Sequence, residues 1–437
     1  MTNCTAEVVA FPACKRRKIE AQFSGGDITS DGGVLLLRQI DRRLGLTEAM
    51  AKVLPDPRNP ARCEHRLVDL IRQRIYSLAL GYEDLNDHRS LRRDVALQTA
   101  LGREETLASP STLCRFEQQA NRQVAWELNR LWVEQFIASF AKPPKELILD
   151  FDATDDPVHG RQEGRFFHGY YDCYCFLPLY VFCGDQLLVS YLRPSHIDGA
   201  KHAWAILALL VKRFREIWPG VRIIFRGDSG FCRPRMLSWC ERQGVEYLVG
   251  VAKNARLTRL GTEWIDKAQC AYEQTGEKQR LCGEFRYAAD TWECQRRVIV
   301  RVEHTERGSN PRYIVTSVEG PVQSLYEELY CARGEMENRI KEQQLDLFAD
   351  RTSCTAWWSN QLRLLLSSAA YCLVEAMRRL ALPGTELAQA TCGTIRLRLF
   401  KIGAVIVRNT RRIQFLLSSS YPYQTLFFKV AARLCPG

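Results

Sequence analysis

The chain has 437 residues, of which 46% are hydrophobic and 25% are charged. This composition excludes disordered, collagen-like and membrane-spanning proteins, and the length predicts two to three structural units. No run of about 18 apolar residues occurs, and Met1–Lys18 lacks the apolar stretch of an export signal. We therefore expect no membrane association and a cytoplasmic location.

The 17 cysteines are expected to be reduced thiols, because their number is odd and no export signal is seen. Cys173 and Cys175 are separated by one residue, which is typical of a strand and not of a metal-binding knuckle. No Cys-x-x-Cys and no His-x-x-x-His pair occurs. The spacing thus argues against a structural zinc site.

The net charge of +11 is concentrated near the end of the chain. From Arg351 onward, twelve Lys and Arg residues stand against two acidic residues. Clustered cations of this kind are what the neutralisation of DNA phosphates requires. A solvated basic face is the alternative interpretation.

The first third of the chain predicts a mainly helical region, residues 1–145. Turn signals at Asp31–Gly33 precede a helix through Val34–Leu44, and apolar residues keep a helical period from about 62 to 140. Ser109, followed by Pro110, is typical of a helix N-cap. A packed bundle and a DNA-reading region are both compatible with these patterns.

The pattern changes after a linker at Lys142–Lys145. Strands and helices then alternate, which indicates a mixed α/β fold. Residues 246–320 are rich in strand patterns, and a helix is predicted from about Val322 to Gln344. The predicted elements between these regions are strands at Leu147–Leu149, Phe176–Phe182, Leu187–Leu192 and Val221–Phe225, and helices at Ala200–Ile217 and Arg233–Gln243.

Two aspartates occupy positions where a structural role is unusual. Asp150 and Asp152 share one face of a buried strand, where aspartate is depleted. Asp228 follows the end of another buried strand, at the sheet edge where α/β proteins bind ligands. A turn or helix cap is the alternative role for Asp228. Asp150, Asp155 and Asp156 compete with Asp152 as the first functional acid.

A third acid, Glu337, lies on the predicted helix 322–344. It shares one stripe of that helix with four other polar residues, Tyr330, Arg333, Lys341 and Gln344. Carboxylate oxygens are the ligands that Mg²⁺ prefers. Two such ions about 4 Å apart activate an attacking hydroxyl and stabilise the leaving oxygen of a phosphodiester. The acids therefore suggest phosphodiester chemistry, with Arg333 and Lys341 near the phosphate.

The segments DATDD, RGDSGF and RGEMEN together resemble the DDE-type transposases of bacterial insertion sequences. These proteins have the RNase H-like fold of retroviral integrases, and the similar branch carries a β-strand insertion and a Tyr-x₂-Arg-x₃-Glu-x₆-Lys signature. Tyr330, Arg333 and Glu337 match this signature, but Gln344 replaces its lysine. Lys341, one turn earlier, is the candidate substitute.

The resemblance implies Asp152, Asp228 and Glu337 as catalytic residues that bind two Mg²⁺ or Mn²⁺ ions. It implies an α/β, RNase H-like core at 146–245 and 321–350, with a β-rich insertion at 246–320. The mainly helical residues 1–145 and the basic residues 351–437 would bind DNA and a partner subunit. Expected DNA or phosphate ligands are Tyr330, Arg333, Lys341, Gln344, Arg396, Arg398, Lys401, Arg408, Arg411 and Arg412.

The resemblance further implies cleavage at terminal inverted repeats and joining of the 3′ ends to target DNA. The expected partners are double-stranded DNA and a second copy of the chain, or more in a higher synaptic assembly, near the nucleoid of a bacterium. A nuclease without strand transfer and a non-catalytic DNA-binding protein are the alternatives. In the insertion, Trp264 and Trp292 either stack on an extruded base or belong to the core.

Overall fold

The computed structural model of the protein describes residues 8–435, and all statements of structure refer to them. These residues form strands β1–β16 and helices α1–α16, with short 3₁₀ and π turns between them. The strands are β1 Val9–Cys14, β2 Arg17–Ala21, β3 Asp27–Thr29, β4 Glu146–Ala153, β5 Asp156–Pro157, β6 Phe166–His168, β7 Cys173–Phe176, β8 Leu179–Cys183, β9 Gln186–Tyr191, β10 Arg222–Gly227, β11 Glu246–Val251, β12 Gln279–Tyr287, β13 Arg296–Thr305, β14 Gly308–Thr316, β15 Ala404–Arg408 and β16 Ile413–Leu417.

The helices range from three to 25 residues in length. None of those described between residues 8 and 435 is long and apolar enough to cross a membrane. They are α1 Val34–Leu44, α2 Leu46–Val53, α3 Leu67–Leu80, α4 His88–Leu91, α5 Val95–Leu101, α6 Pro110–Gln118, α7 Arg122–Ala138, α8 Ala203–Ile217, α9 Pro234–Gln243, α10 Ala255–Leu260, α11 Thr262–Thr275, α12 Val322–Ser324, α13 Gly334–Lys341, α14 Trp357–Ala381, α15 Cys392–Ile395 and α16 Gln424–Leu434.

The described chain divides into two compact units. A terminal unit contains residues 8–51, 56–116 and 373–435, and a central unit contains residues 52–55 and 117–372. These bounds differ from the predicted division at 145 and 351. In the terminal unit the two ends of the chain pair directly, since β3 and β15 are antiparallel neighbours, with Ile28 opposite Val405.

Close backbone contacts hold the start of α1 in the terminal unit. The amides of Gly32 and Gly33 donate to the carbonyls of Ile402 and Phe400 at 2.8 and 3.1 Å. A Cβ at Gly33 would stand 1.8 Å from the carbonyl oxygen of Leu399, so no larger residue fits there. The turn predicted at this position is thus also a tertiary contact.

Two local predictions for the terminal unit are confirmed. The predicted helix Val34–Leu44 has the same bounds as α1, and Gly45 ends it with a left-handed φ of 63°. The Ser109 side chain caps α6, because its Oγ accepts from the amide of Thr112 at 3.3 Å. Both features depend on neighbouring residues, which explains why sequence patterns predict them.

A buried histidine makes the terminal unit sensitive to acid. His88 is fully buried, with Gln73 Nε2 3.0 Å from its Nδ1. Burial and the nearby Arg74 lower the pKa of His88 to about 3. The unfolded chain therefore binds a proton at His88 below about pH 6.5 that the folded chain does not bind, and stability falls as the pH drops toward 3.

We expect His88→Gln to remove this contribution. The stability of the wild-type protein relative to the variant should fall by about 2 kcal/mol between pH 7.5 and pH 5. Urea unfolding of both proteins at the two pH values measures this difference. An equal stability gap at both pH values would contradict a depressed pKa for His88.

The central unit is built on one eight-stranded mixed sheet, which confirms the predicted α/β class. Its order is β12-β13-β14-β11-β10-β4-β8-β9. The three middle strands β4, β10 and β11 are parallel, with Phe225 opposite both Leu149 and Tyr247. The outer neighbours β8 and β14 run antiparallel to them. This arrangement brings the carboxyl ends of β4 and β10 to the same edge.

Alternate residues of the middle strands enter two separate cores. Phe151 and Phe225 face a large core shared with α7, α8 and α9. Ile224 and Leu248 face the other side, where they pack with Leu325. The alternation follows from the two-residue period of a strand. Asp150 and Asp152, offset by one from Phe151, therefore lie on the second face.

The inserted strands extend this same sheet. Strands β12, β13 and β14 pair antiparallel, and β14 joins β11 through Val315 and Val249. Strand β11, predicted to open the insertion, is thus a core strand. Helices α10 and α11 were not predicted within 246–320. Each of these helices buries one residue, Leu257 in α10 and Ala268 in α11. The spacing of apolar residues therefore gives only a weak helical signal in this part of the sequence.

The strand predicted at Phe176–Phe182 is two strands, β7 and β8. Pro178 lies in the gap between Phe176 and Leu179. A proline lacks the amide hydrogen that a continuous ladder requires, which explains the break. Strands β5, β6 and β7 then form a small separate sheet just after β4.

Candidate active site

Asp152 and Asp228 lie side by side at one edge of the large sheet. Strands β4 and β10 are parallel, and Phe151 is the register partner of Gly227. The two aspartates are the next residues, so they occupy matching positions on strands spaced about 4.8 Å apart. Asp228 also caps the following turn, since its Oδ1 accepts from the amide of Gly230 at 2.8 Å. Asp228 therefore has the capping role that was the alternative interpretation, and it also lies at the edge of the sheet.

Arg333 connects the first and third predicted acids. Its Nη1 donates to Asp152 Oδ2 at 3.2 Å, and its Nη2 donates to Glu337 Oε1 at 2.6 Å. Asp152 and Arg333 are largely buried, whereas the Glu337 side chain remains 44% exposed. One guanidinium thus brings two carboxylates from β4 and α13 to a common point.

The pKa of Asp152 depends on its burial and on three neighbouring charged groups. Burial raises the pKa of Asp152 to about 7, and the positive charge of Arg333 opposes this rise. The negative charges of Asp228 and Glu337 raise the same pKa further. Asp152 thus lies in the same electrostatic environment as Asp228 and Glu337.

Asp150, a competitor for the first acid, has a different partner. It forms a buried two-pronged ion pair with Arg226, its cross-strand neighbour on β10. Arg226 also donates to the carbonyl of Leu329, next to Tyr330. Asp156 is also buried, and burial raises its pKa well above the usual range. These contacts favour Asp152 as the acid that faces Arg333.

The segment that carries Glu337 is not the regular helix that the sequence predicted. Leu325–Tyr330 and Glu342–Asp346 are π turns, and Cys331–Arg333 is a 3₁₀ turn before α13. Arg333 and Glu337 nevertheless keep the four-residue spacing of an ion pair. Changes of helical type of this kind are often found at functional sites.

The remaining residues of the predicted stripe have different surroundings. Burial raises the pKa of Tyr330, Arg333 opposes the rise, and the nearby Asp228 adds to it. Lys341 is exposed at the end of α13. Gln344, at the position of the signature lysine, donates to the carbonyl of Asp155 at 3.0 Å. Tyr330 thus lines the acid cluster, and Gln344 holds the loop after β4.

Some of the predicted DNA ligands near the end of the chain have partners inside the terminal unit. Arg396 donates to the carbonyl of Ala79 at 2.8 Å. Lys401 lies 2.7 Å from Asp31 Oδ1. These contacts support the fold of the terminal unit.

The other predicted basic ligands are more accessible. Arg398 lies over the ring of Tyr423, and Arg408 lies 3.4 Å from Asp27. Arg411 and Arg412 are exposed in the turn between β15 and β16. These side chains are better placed to reach a phosphate than Arg396 or Lys401.

The insertion tryptophans pack against the core. The Trp264 ring lies in the space where a Cβ of Gly283 would stand, and its centroid is 6.0 Å from that of Phe285. The Trp292 centroid is 5.3 Å from that of Tyr287. Both are partly buried against the large core. The structure favours the core interpretation.

Gly250 on β11 is a site residue that the sequence analysis missed. A Cβ there would stand 2.7 Å from the Tyr330 hydroxyl and 2.8 Å from the amide nitrogen of Ser229, which follows Asp228. Glycine inside a strand often marks a close approach of another backbone. That signal was present in the sequence, but only the fold shows that the close backbone follows a site aspartate.

We expect Gly250→Ala to displace Asp228 and Tyr330 while the sheet remains intact. A displacement of about 1 Å at a catalytic group can lower activity by on the order of 10²-fold. Strand transfer by the variant, with circular dichroism as the check of folding, measures the effect. Another glycine, Gly244, cannot serve as the control, because its left-handed φ of 60° would make an alanine there strained. Val251→Ala, at the neighbouring position, is the matched control and should retain activity within a few-fold.

The donor chemistry of the cluster fits a hard divalent cation. Asp152, Asp228 and Glu337 supply only carboxylate oxygens, which Mg²⁺ and Mn²⁺ prefer. Between residues 8 and 435, however, no three His, Cys, Asp or Glu side chains are arranged closely enough to hold a metal ion. Arg333 bridges two of the acids. A cation shared by Asp152 and Glu337 would take the place of this guanidinium.

A protein-family model and a solved structure match the chain. Residues 11–436 match the protein family described as Transposase DDE domain group 1. No curated protein matches the chain in a sequence search. Among solved structures, the chain is similar to the cryo-EM structure of the piggyBac transposase synaptic complex with hairpin DNA, with a TM-score of 0.41 and 12% identity. That similarity covers 85% of this chain and 79% of the other.

Proposed function

The chain belongs to the family of transposase DDE domains, and from that premise we propose that it cuts DNA at the ends of an insertion sequence and joins the freed 3′ ends to target DNA. The observation that carries this proposal is the neighbouring position of Asp152 and Asp228 at one sheet edge, with Arg333 joining Asp152 to Glu337. The negative charges of Asp228 and Glu337 raise the pKa of Asp152, and a bound cation would offset this repulsion. This arrangement supports metal-dependent phosphodiester chemistry.

In this proposal Asp152, Asp228 and Glu337 hold two Mg²⁺ or Mn²⁺ ions. When bound, such ions activate the attacking hydroxyl and stabilise the leaving oxygen of the phosphodiester. Arg333 neutralises two of the acids without metal. With cations bound by these acids, its guanidinium would be available for a two-pronged contact to a DNA phosphate. Lys341 supplies a second positive charge from the end of α13.

The proposed partners are the terminal inverted repeats, the target duplex and at least one further copy of the chain. Two element ends must be held together for coordinated joining, so a homodimer or a higher synaptic assembly suits this reaction. We place the protein at the nucleoid in the bacterial cytoplasm. Arg411 and Arg412, exposed in the β15–β16 turn, are candidate contacts to DNA phosphates.

The test is a strand-transfer assay with the inverted repeats that flank the coding sequence, a supercoiled target plasmid and Mg²⁺ or Mn²⁺. We expect joined products that disappear with EDTA. Cleaved ends without joined products would identify a nuclease. Binding without cleavage or joining under any metal condition would identify a non-catalytic DNA-binding protein. Either of these results would overturn the proposal.

A further inference from the structure

An ordered hairpin lies within a stretch that is exposed at every residue. All residues from Val8 to Ile28 are exposed, yet β1 and β2 pair in a defined antiparallel register. A two-stranded hairpin that packs on nothing is at best marginally stable in water. An exposed apolar surface on such a hairpin indicates that a partner covers it.

One face of the hairpin is apolar. Val9 is the register partner of Ala21, and Phe11 is the partner of Ile19, so these four side chains share a face. Phe11 is 53% exposed and Ile19 is 41% exposed. The register then shifts between Phe11 and Cys14, so that Pro12 falls in a bulge, where a strand tolerates proline.

The tip of the hairpin is strongly basic. Lys15, Arg16, Arg17 and Lys18 are consecutive and exposed, and Lys15 turns the chain with a left-handed φ of 57°. Arg17 is two residues before Ile19 on β2, so it continues the apolar face. The other face of β2 carries Lys18 and the only acid of the hairpin, Glu20.

We propose that the hairpin Val9–Ala21 is a β-ribbon that binds the major groove of duplex DNA. The groove is about 12 Å wide and admits a two-stranded ribbon. Phe11, Ile19 and Arg17 face the base edges, where apolar side chains contact thymine methyl groups and arginine pairs with guanine. The other tip cations bind the flanking phosphates. This inference rests on the proposed function and assigns one of its DNA contacts.

Charge favours DNA over a second copy of the chain as the occupant. Four consecutive cations are matched by one carboxylate within the hairpin. Two ribbons packed together would bring eight like charges into one interface, which is unfavourable. A phosphate backbone neutralises the same cations and releases counterions.

The experiment measures binding of a random-sequence duplex by fluorescence anisotropy over a series of KCl concentrations. Replacing Lys15, Arg16, Arg17 and Lys18 by Ala should weaken binding and lower the slope of log K against log[salt] by roughly 3 to 4. The matched control replaces four exposed lysines outside the expected DNA-binding regions, Lys201, Lys212, Lys253 and Lys267, and should leave the slope within about one unit. An unchanged slope for the tip variant, or an equal loss for the control, would refute the ribbon.

A second variant, Phe11→Ser with Ile19→Ser, tests the apolar face. When bound duplexes are selected from a random-sequence pool, we expect the variant to show a weaker sequence preference than the wild type. Its molecular mass in sedimentation should equal that of the wild type. Loss of self-association with wild-type DNA binding would show that a second copy covers this face, and would overturn the proposal. Because both variants alter exposed residues, their thermal midpoints should equal that of the wild type.

The outcomes separate this inference from the proposed function. The wild type could give no joined DNA while the tip variant shows the expected reduction in salt slope. The ribbon proposal would then hold and the proposed transposase chemistry would be wrong. The wild type could instead join DNA while the tip variant binds DNA as tightly as the wild type. The proposed chemistry would then hold and the ribbon proposal would be wrong.

Discussion

Asp152→Asn, Asp228→Asn and Glu337→Gln are each expected to lower strand transfer by on the order of 10³-fold or more. Each substitution keeps the size of the side chain but removes a charged oxygen ligand. In the proposed mechanism the three carboxylates hold the cations, so loss of one would lower joining and cleavage together. The three effects should not add, because the acids act as one unit.

A matched control distinguishes the loss of a site carboxylate from the loss of any surface carboxylate. Glu335 lies two residues before Glu337 on α13 and is exposed. Glu335→Gln should leave strand transfer within a few-fold of the wild type. Titration of Mn²⁺ against each protein, followed by calorimetry, supplies a second readout, in which the three site variants but not Glu335→Gln bind more weakly. Joined products made at wild-type rate by Asp228→Asn or Glu337→Gln would remove the site assignment.

Arg226→Met is expected to destabilise the protein by about 3–5 kcal/mol, because it leaves the buried Asp150 without its partner. Asp150 and Arg226 are both nearly inaccessible to solvent and lie opposite each other on β4 and β10. The substitution also removes the donor to the carbonyl of Leu329. Urea unfolding at neutral pH measures the change.

Two further variants locate the origin of this effect. The double variant Arg226→Met with Asp150→Asn removes both charges and should recover at least about half of the loss. Arg222 lies on the same strand but pairs with Glu146 and Glu246 at a side-chain exposure of 46%. Arg222→Met should therefore cost no more than about 1 kcal/mol. A double variant as unstable as Arg226→Met would show that the unpaired carboxylate is not the cause.

The position of Asp228 was predictable because it depends on local order along the chain. A buried apolar strand followed by a glycine-flanked aspartate places that residue at the ligand-binding edge of an α/β sheet. The same reasoning predicted α1 and the Ser109 cap of α6, whose signals lie within a few residues. Asp152 was harder, because the same segment carries three other aspartates.

The choice among these aspartates depends on contacts between distant residues. Arg226 engages Asp150 from the next strand, and Arg333, 181 residues along the chain, engages Asp152. Pairings of this kind depend on strand register, which no local pattern specifies. Arg396 and Lys401 show the same limit, because their charge predicted DNA contact but their nearest partners are Ala79 and Asp31.

Sequence patterns alone are enough to recognise the strand and helix periods, the candidate acids with Arg333, and the excess of positive charge near the end of the chain. These features depend on residue type and on spacing within one element. The folded chain alone shows that β3 pairs with β15, that the inserted strands extend the core sheet, and that Gly250 lies close to the backbone after Asp228. Each of these features depends on which distant backbones come close, and the packing of the whole chain settles that.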